Sequence, residues 1–350
     1  MRELFTLVCL FVFYSYPRAQ KIDAAAAVRY FELTDSLRQG LPLTPEAWKV
    51  FLGMDGNRQY IENQAYSERF LENYRKAMEV VYMPQNDTTL QRRLKDPQNN
   101  FLTYVAYQYK AHEPELRRYL AQVSADPDAY LATMYEKCYT MLPKRMHGKS
   151  PAATLYLTAF NNDAVAHGGD IILTLWADYN YSKVVPGILG GHELFHLVWK
   201  EKNYAVAEKD KSLLFLLNLL LREGAPDLID KKHTAVAGFP DDLRYGEYLM
   251  QMGAKAMPLI ETAIKEMATG TRSYSTKELR QTFMNGHVPG YYMADIIERN
   301  GLRNKLVKNV QDPFRFVDLY NEAAKKDKAK PFVFSDEVIA HLRRLKANVK

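Results

Sequence analysis

The sequence of 350 residues predicts a mainly α-helical α+β protein. Apolar residues recur at three- and four-residue spacing through most of the chain, which is the signature of amphipathic helices. Two short runs in its middle, "AATLYLTAF" and "GGDIILTLW", have strand character. A further apolar helix, containing "GGHELFHLVW", follows them directly, so a small antiparallel sheet is expected beside that helix. With 47% apolar and 25% charged side chains, the chain can bury a sizeable core.

The chain begins "MRELFTLVCLFVFYSYPRAQ", with Arg2, an apolar run from Leu4 to Tyr14, then Pro17 and Ala19. This is the layout of a secretory signal peptide, residues 1–19, cleaved after Ala19. The run is short for a membrane span, which needs about 20 residues. No stable membrane insertion is therefore expected after cleavage, and the destination is periplasm, cell surface or medium. Cys9 lies mid-run behind a poor lipobox. Its removal leaves Cys138 as the one cysteine, which excludes an intrachain disulfide. The net charge of +6 is small and scattered, apart from "KKDKAK" at Lys325–Lys330. That run reads as solvated surface, so no nucleic-acid partner is expected.

Residues 20–148 form an N-terminal helical region. "AAAAVRYFELTDSL" is stopped by Gly40 and Pro42. "TPEAWKVFL" restarts with Thr44 as N-cap and Pro45 in the first turn. "YSERFLENYRKAMEVVY" and "DPDAYLATMYEKCYTML" continue the pattern, their Tyr, Leu and Met residues reading as core.

Residues 149–350 carry the strands and the chemistry. Ala152–Phe160 and Gly168–Trp176 are the strands, joined by "NNDAVAH" as a hairpin. "SLLFLLNLLLREG" from Ser212 is too short to span a membrane and reads as a buried helix. "GFPDDLRYGEY" is a loop, and "AKAMPLIETAIKEMA", "YYMADIIERNG", "PFRFVDLYNEAAKK" and "SDEVIAHLRRLK" are helices.

His192-Glu193-Leu194-Phe195-His196 fits H-E-x-x-H. Residues four apart lie one turn apart on one helix face, so two imidazoles can bind one Zn²⁺ at about 2.0–2.1 Å. Glu193, about 100° round the helix, reaches a zinc-bound water without binding the metal. Zinc brings the pKa of that water towards ~7, where a carboxylate can take the proton. Gly190-Gly191 would leave room for a substrate beside the metal, or mark the helix start. Glu223, 27 residues after His196, closes an apolar helix where an unpaired charge would be costly. Asp227 follows four residues later, placed to accept the free ring N–H of a histidine ligand.

H-E-x-x-H with a downstream E-x-x-x-D resembles the gluzincins, the thermolysin-like zinc peptidases. It is also similar to uncharacterised bacterial zinc-dependent peptidases with an "EG-A" motif after the H-E-x-x-H helix. The resemblance covers Ala152 to Gly301. It implies a zincin-like catalytic region holding one zinc per chain on His192, His196 and Glu223, with Glu193 as general base and Asp227 behind the ligands. A peptide or protein would be the substrate. In this class the strand before the H-E-x-x-H helix is an edge that pairs with extended substrate, a role expected for "GGDIILTL". A later Tyr or His stabilises the oxyanion; Tyr291 is the first candidate, then Tyr292 and His287. Two departures stand out: Arg222 replaces the usual Asn before the glutamate, and Pro226 should bend or end the helix.

Competing readings stay open. "DLRYG" at Asp242–Gly246 resembles part of the aspzincin signature, which makes Asp242 an alternative third ligand, with His233 weaker still. A non-catalytic exported binding protein retaining a zinc site is the other class. The intact Glu193 counts against it, and structural zinc sites are normally closed by four protein ligands.

Overall fold

The computed structural model describes residues 20–148 and 151–349. Residues 1–19, which carry the expected signal peptide, lie outside the described residues. The architecture is α+β and mainly helical, with one small mixed sheet of four strands. The strands are β1 (Gln20–Asp23), β2 (Ala153–Thr158), β3 (Ala164–His167) and β4 (Asp170–Thr174).

The sheet order is β1-β2-β4-β3. β1 and β4 both run parallel to β2, and only β3 is antiparallel, paired with β4. The expected antiparallel hairpin of β2 and β4 is thus corrected. The segment read as their connector contains β3, and the true hairpin joins β3 to β4 through Gly168-Gly169. Both glycines have positive φ, +61° and +95°, as the right-handed twist of a two-residue hairpin requires. β4 is therefore an inner strand, buried from Ile171 to Thr174, and β3 is the free edge that packs against the H-E-x-x-H helix. Trp176 lies in a helix, Leu175–Val184, that starts at once after β4.

The expected N-terminal helices are present. Thr44 caps Pro45–Gly53, its hydroxyl accepting from the Ala47 N–H at 3.1 Å. Ser67 caps Glu68–Tyr82, and Asp126 caps Pro127–Tyr139. Helices at Asp55–Gln64, Asp87–Leu94, Phe101–Ala111 and Glu113–Ala125 fill the intervals. One continuous cluster of buried apolar side chains runs from Ala27 to Leu345, and β1 ties the first described residues to β2. Cys138 is buried and its thiol is pushed well up by that burial. Among the described residues no helix is long and apolar enough to cross a membrane.

Glycines set the closest helix contacts. The H-E-x-x-H helix, Ile188–Val198, is preceded by Gly187 in the left-handed conformation. A Cβ on Gly190 would lie 2.7 Å from Met134, and one on Gly191 2.8 Å from Lys137. Gly190-Gly191 therefore sit inside the helix and let it press on Pro127–Tyr139, rather than clearing space for a substrate.

The Glu223 helix runs from Lys211 to Asp230, with Pro226 inside it. Of the expected bend or end at Pro226, the end is corrected: the helix continues to Asp230, all residues from Glu223 to Asp230 are buried, and their packing outweighs the backbone bond that proline removes. The helix His287–Arg299 crosses it where Gly224 meets Gly290 backbone to backbone.

Candidate metal centre

Two helices supply the centre. His192 and His196 project from one face of Ile188–Val198, and their Nε2 atoms lie 3.2 Å apart. Glu223, on Lys211–Asp230, brings its Oε2 within 3.3 Å of His196 Nε2. Four ligands placed tetrahedrally at about 2.0–2.1 Å from one zinc are about 3.3–3.4 Å from one another. Both separations match that edge to about 0.2 Å. The ligand atoms of His192, His196 and Glu223 all lie within 4.8 Å of one another. Their donor types, two imidazoles and a carboxylate, are those of zinc, so the residues fit the metal.

Behind the candidate ligands stands a carboxylate outside the E-x-x-x-D pair. His192 Nδ1 lies 3.0 Å from Asp230 Oδ1 and 3.7 Å from Asp227. Asp230 is fully buried; burial would raise its carboxyl, but Lys231 and His192 hold it well below the usual range, so it accepts the Nδ1–H and turns Nε2 towards the other ligands, where a metal would take the place of its proton. Its other oxygen accepts from Lys231 Nζ at 2.7 Å. Asp227 instead pairs with His287, whose Nδ1 is 3.1 Å from Asp227 Oδ2. Glu223, Asp227 and Asp230 follow i, i+4, i+7, a single helix face, and that spacing was the available signal for Asp230.

His287 approaches the centre from the third helix, with Nε2 3.5 Å from Glu223 Oε2. The mutually close ligand set does not extend to it, and its side chain is 33% exposed. It therefore flanks the centre on an accessible side. Tyr291, one turn on, is buried; burial and the charges of Asp295, Asp227 and Asp230 push its hydroxyl well up. No hydrogen bond among the described residues joins it to the three ligands. Tyr292 packs away from the centre, against Gly253 and the Tyr320 ring.

The electrostatics suit a cation. Burial would raise Glu223, but His196, His287 and His192 hold it well below the usual carboxylate range. Burial disfavours a charged His192, yet Asp230 outweighs it and carries the imidazole up to about 9. For His287 the same burial is outweighed by Asp227 and Glu223, to about 10. Glu193 is raised by burial, with His192 and His196 pulling it partly back. Its carboxylate bonds to no described residue, so it is available to a proton donor.

Asp242 lies elsewhere. Its carboxylate accepts from Trp176 Nε1 and Asn162 Nδ2, each at 3.0 Å. Neither it nor His233 belongs to a metal-capable group among the described residues. A cleft of about 420 Å³ beside it, between Tyr104, His112, Trp176, Lys183 and Arg244, contains none of the three ligands.

With this geometry in view, the family relationship is informative. Residues 48–329 match the model of the family described as "Putative zinc dependent peptidase (DUF5700)". The chain belongs to that family, which spans the N-terminal helices as well as the centre. No curated protein and no solved structure matches the chain significantly.

Proposed function

We propose that the protein is an exported zinc-dependent peptidase binding one zinc per chain through His192, His196 and Glu223. The observation that carries this reading is the convergence of the three ligand atoms within 4.8 Å of one another, with His196 at tetrahedral edge distance from both His192 and Glu223, beside an unengaged Glu193. Bound there, zinc would supply Lewis-acid polarisation of a peptide carbonyl and of water. Glu193 takes a proton from the attacking water and passes it to the leaving amine. Asp230 holds the His192 ring in the tautomer that presents Nε2. His287, oriented by Asp227, donates a hydrogen bond to the oxygen that gains charge during attack. Geometry favours His287 for this role over Tyr291, the first candidate from sequence.

β3 supports this reading as the edge strand next to the H-E-x-x-H helix, the kind of position from which extended substrate is paired. Export rests on the layout of residues 1–19 alone.

The test is Glu193→Gln in the mature chain. Turnover of a peptide library should fall at least a thousandfold, on the order of a lost general base and more, while zinc content stays unchanged. Near-parental turnover in that variant contradicts the proposed mechanism.

A further inference from the structure

The loop Asn161–Asp163, leading into β3, is fixed from several directions. Asn161 is buried and left-handed, with φ of +70°. Its N–H donates to the Tyr74 hydroxyl at 3.0 Å, and its carbonyl accepts from the Tyr109 hydroxyl at 2.8 Å. Its side-chain amide donates to Tyr66 at 2.6 Å. Asn162 is tied to Asp242, and the carbonyl of Asp163 accepts from the Thr174 N–H at 3.0 Å. Backbone strain at a non-glycine residue persists only where surrounding bonds enforce it.

The product of this anchoring is one exposed carboxylate. The Asp163 side chain makes no hydrogen bond or ion pair with any described residue. It stands at the start of the free edge strand that packs on the H-E-x-x-H helix. An exposed, unpaired anion on an anchored loop, at the head of the strand that packs on the Glu193 helix, is suited to recognising a cation.

We propose that Asp163 is a specificity-determining residue that receives a cationic group of the substrate, ammonium or guanidinium, close to the bond served by Glu193. This rests on the peptidase reading above. The cation comes from a Lys or Arg side chain or from a free α-amine.

The experiment uses the zinc-loaded mature chain and a peptide library in which Lys, Gln and Glu are scanned through each position. Every peptide is prepared with a free and with an acetylated N-terminus. A Lys or free-amine peptide should be cut about three- to tenfold faster than its Gln or acetylated counterpart, as one solvent-exposed charge pair allows. The preference should shrink with added salt. Asp163→Asn should reduce it to within about twofold, and Asp163→Lys should turn it towards Glu, with zinc content unchanged in both. Acetylation abolishing the preference identifies the α-amine; persistence through acetylation identifies the side chain. A preference intact in Asp163→Asn, or absent from the parent, overturns the inference. If no peptide is cut, the peptidase reading fails, and the same comparison is made as Kd in Glu193→Gln by fluorescence anisotropy. Peptide binding there without charge preference, or no binding, overturns the inference too.

Discussion

Gly224 and Gly290 meet backbone to backbone, and a Cβ on Gly224 would overlap the Gly290 carbonyl. The contact lies one residue from Glu223 and three from His287, so it sets how closely their helices bring these side chains together. Gly224→Ala forces the helices apart. Overpacking of this kind costs about 1–3 kcal/mol, and zinc affinity should fall with it, since Glu223 would be displaced by a fraction of an ångström. Gly53→Ala, where a Cβ would meet nothing within 4 Å, should leave both unchanged. Thermal unfolding and zinc titration of the two variants check this.

Asp230 and Asp227 are one turn apart on one helix but serve different histidines. Asp230→Asn removes the acceptor for His192 and should weaken zinc binding about 10–100-fold. Asp227→Asn unties His287, which is outside the ligand set. It should leave zinc affinity within about threefold and lower turnover by about tenfold or more. Competition with a chromogenic chelator and steady-state kinetics separate the two effects. Equal zinc loss in both variants would contradict the assignment.

Asp178 carries a pH dependence away from the centre. It is fully buried and accepts from Tyr119 at 2.8 Å and Tyr130 at 2.7 Å. Burial pushes its carboxyl up to about 6 from 3.8, although both hydroxyl bonds pull it back. The folded state therefore binds this proton more tightly than the unfolded state. Its contribution to stability is fully present below about pH 4 and is lost as pH rises through about 6. The shift corresponds to about 3 kcal/mol. Urea unfolding between pH 4 and 7.5 should show the parent losing stability relative to Asp178→Asn by up to that amount. Parallel pH curves for the two proteins would refute it.

The sequence made the helical frame legible wherever a cap or a clean period marked it, as at Thr44. It also singled out His192, His196 and Glu223, which lie together, because i, i+4 spacing and a charge closing an apolar helix are local signals. What stayed hidden depends on tertiary packing. Pro226 reads locally as a helix end, yet burial on every side carries the helix on to Asp230. Gly190-Gly191 reads as space, whereas its neighbour is the helix carrying Met134 and Lys137. β3 is only four residues long, too short to stand out, though Gly168-Gly169 marked its hairpin. β1 pairs with β2 across more than a hundred residues of intervening helix, a contact no local pattern announces. A tyrosine at a helix start reads locally as the oxyanion group, which puts Tyr291 before His287. The crossing at Gly224 and Gly290 instead brings the first residue of that helix against Glu223.

The central claim is that Glu223 completes a three-residue zinc site with His192 and His196. Zinc per chain is the direct measurement, on mature protein purified without added metal, with Glu223→Ala and Asp242→Ala prepared identically. The account predicts about one zinc in the parent and in Asp242→Ala, and a large loss in Glu223→Ala. A Glu223→Ala protein that keeps its full zinc, or a parent that binds none even when zinc is supplied, would contradict it.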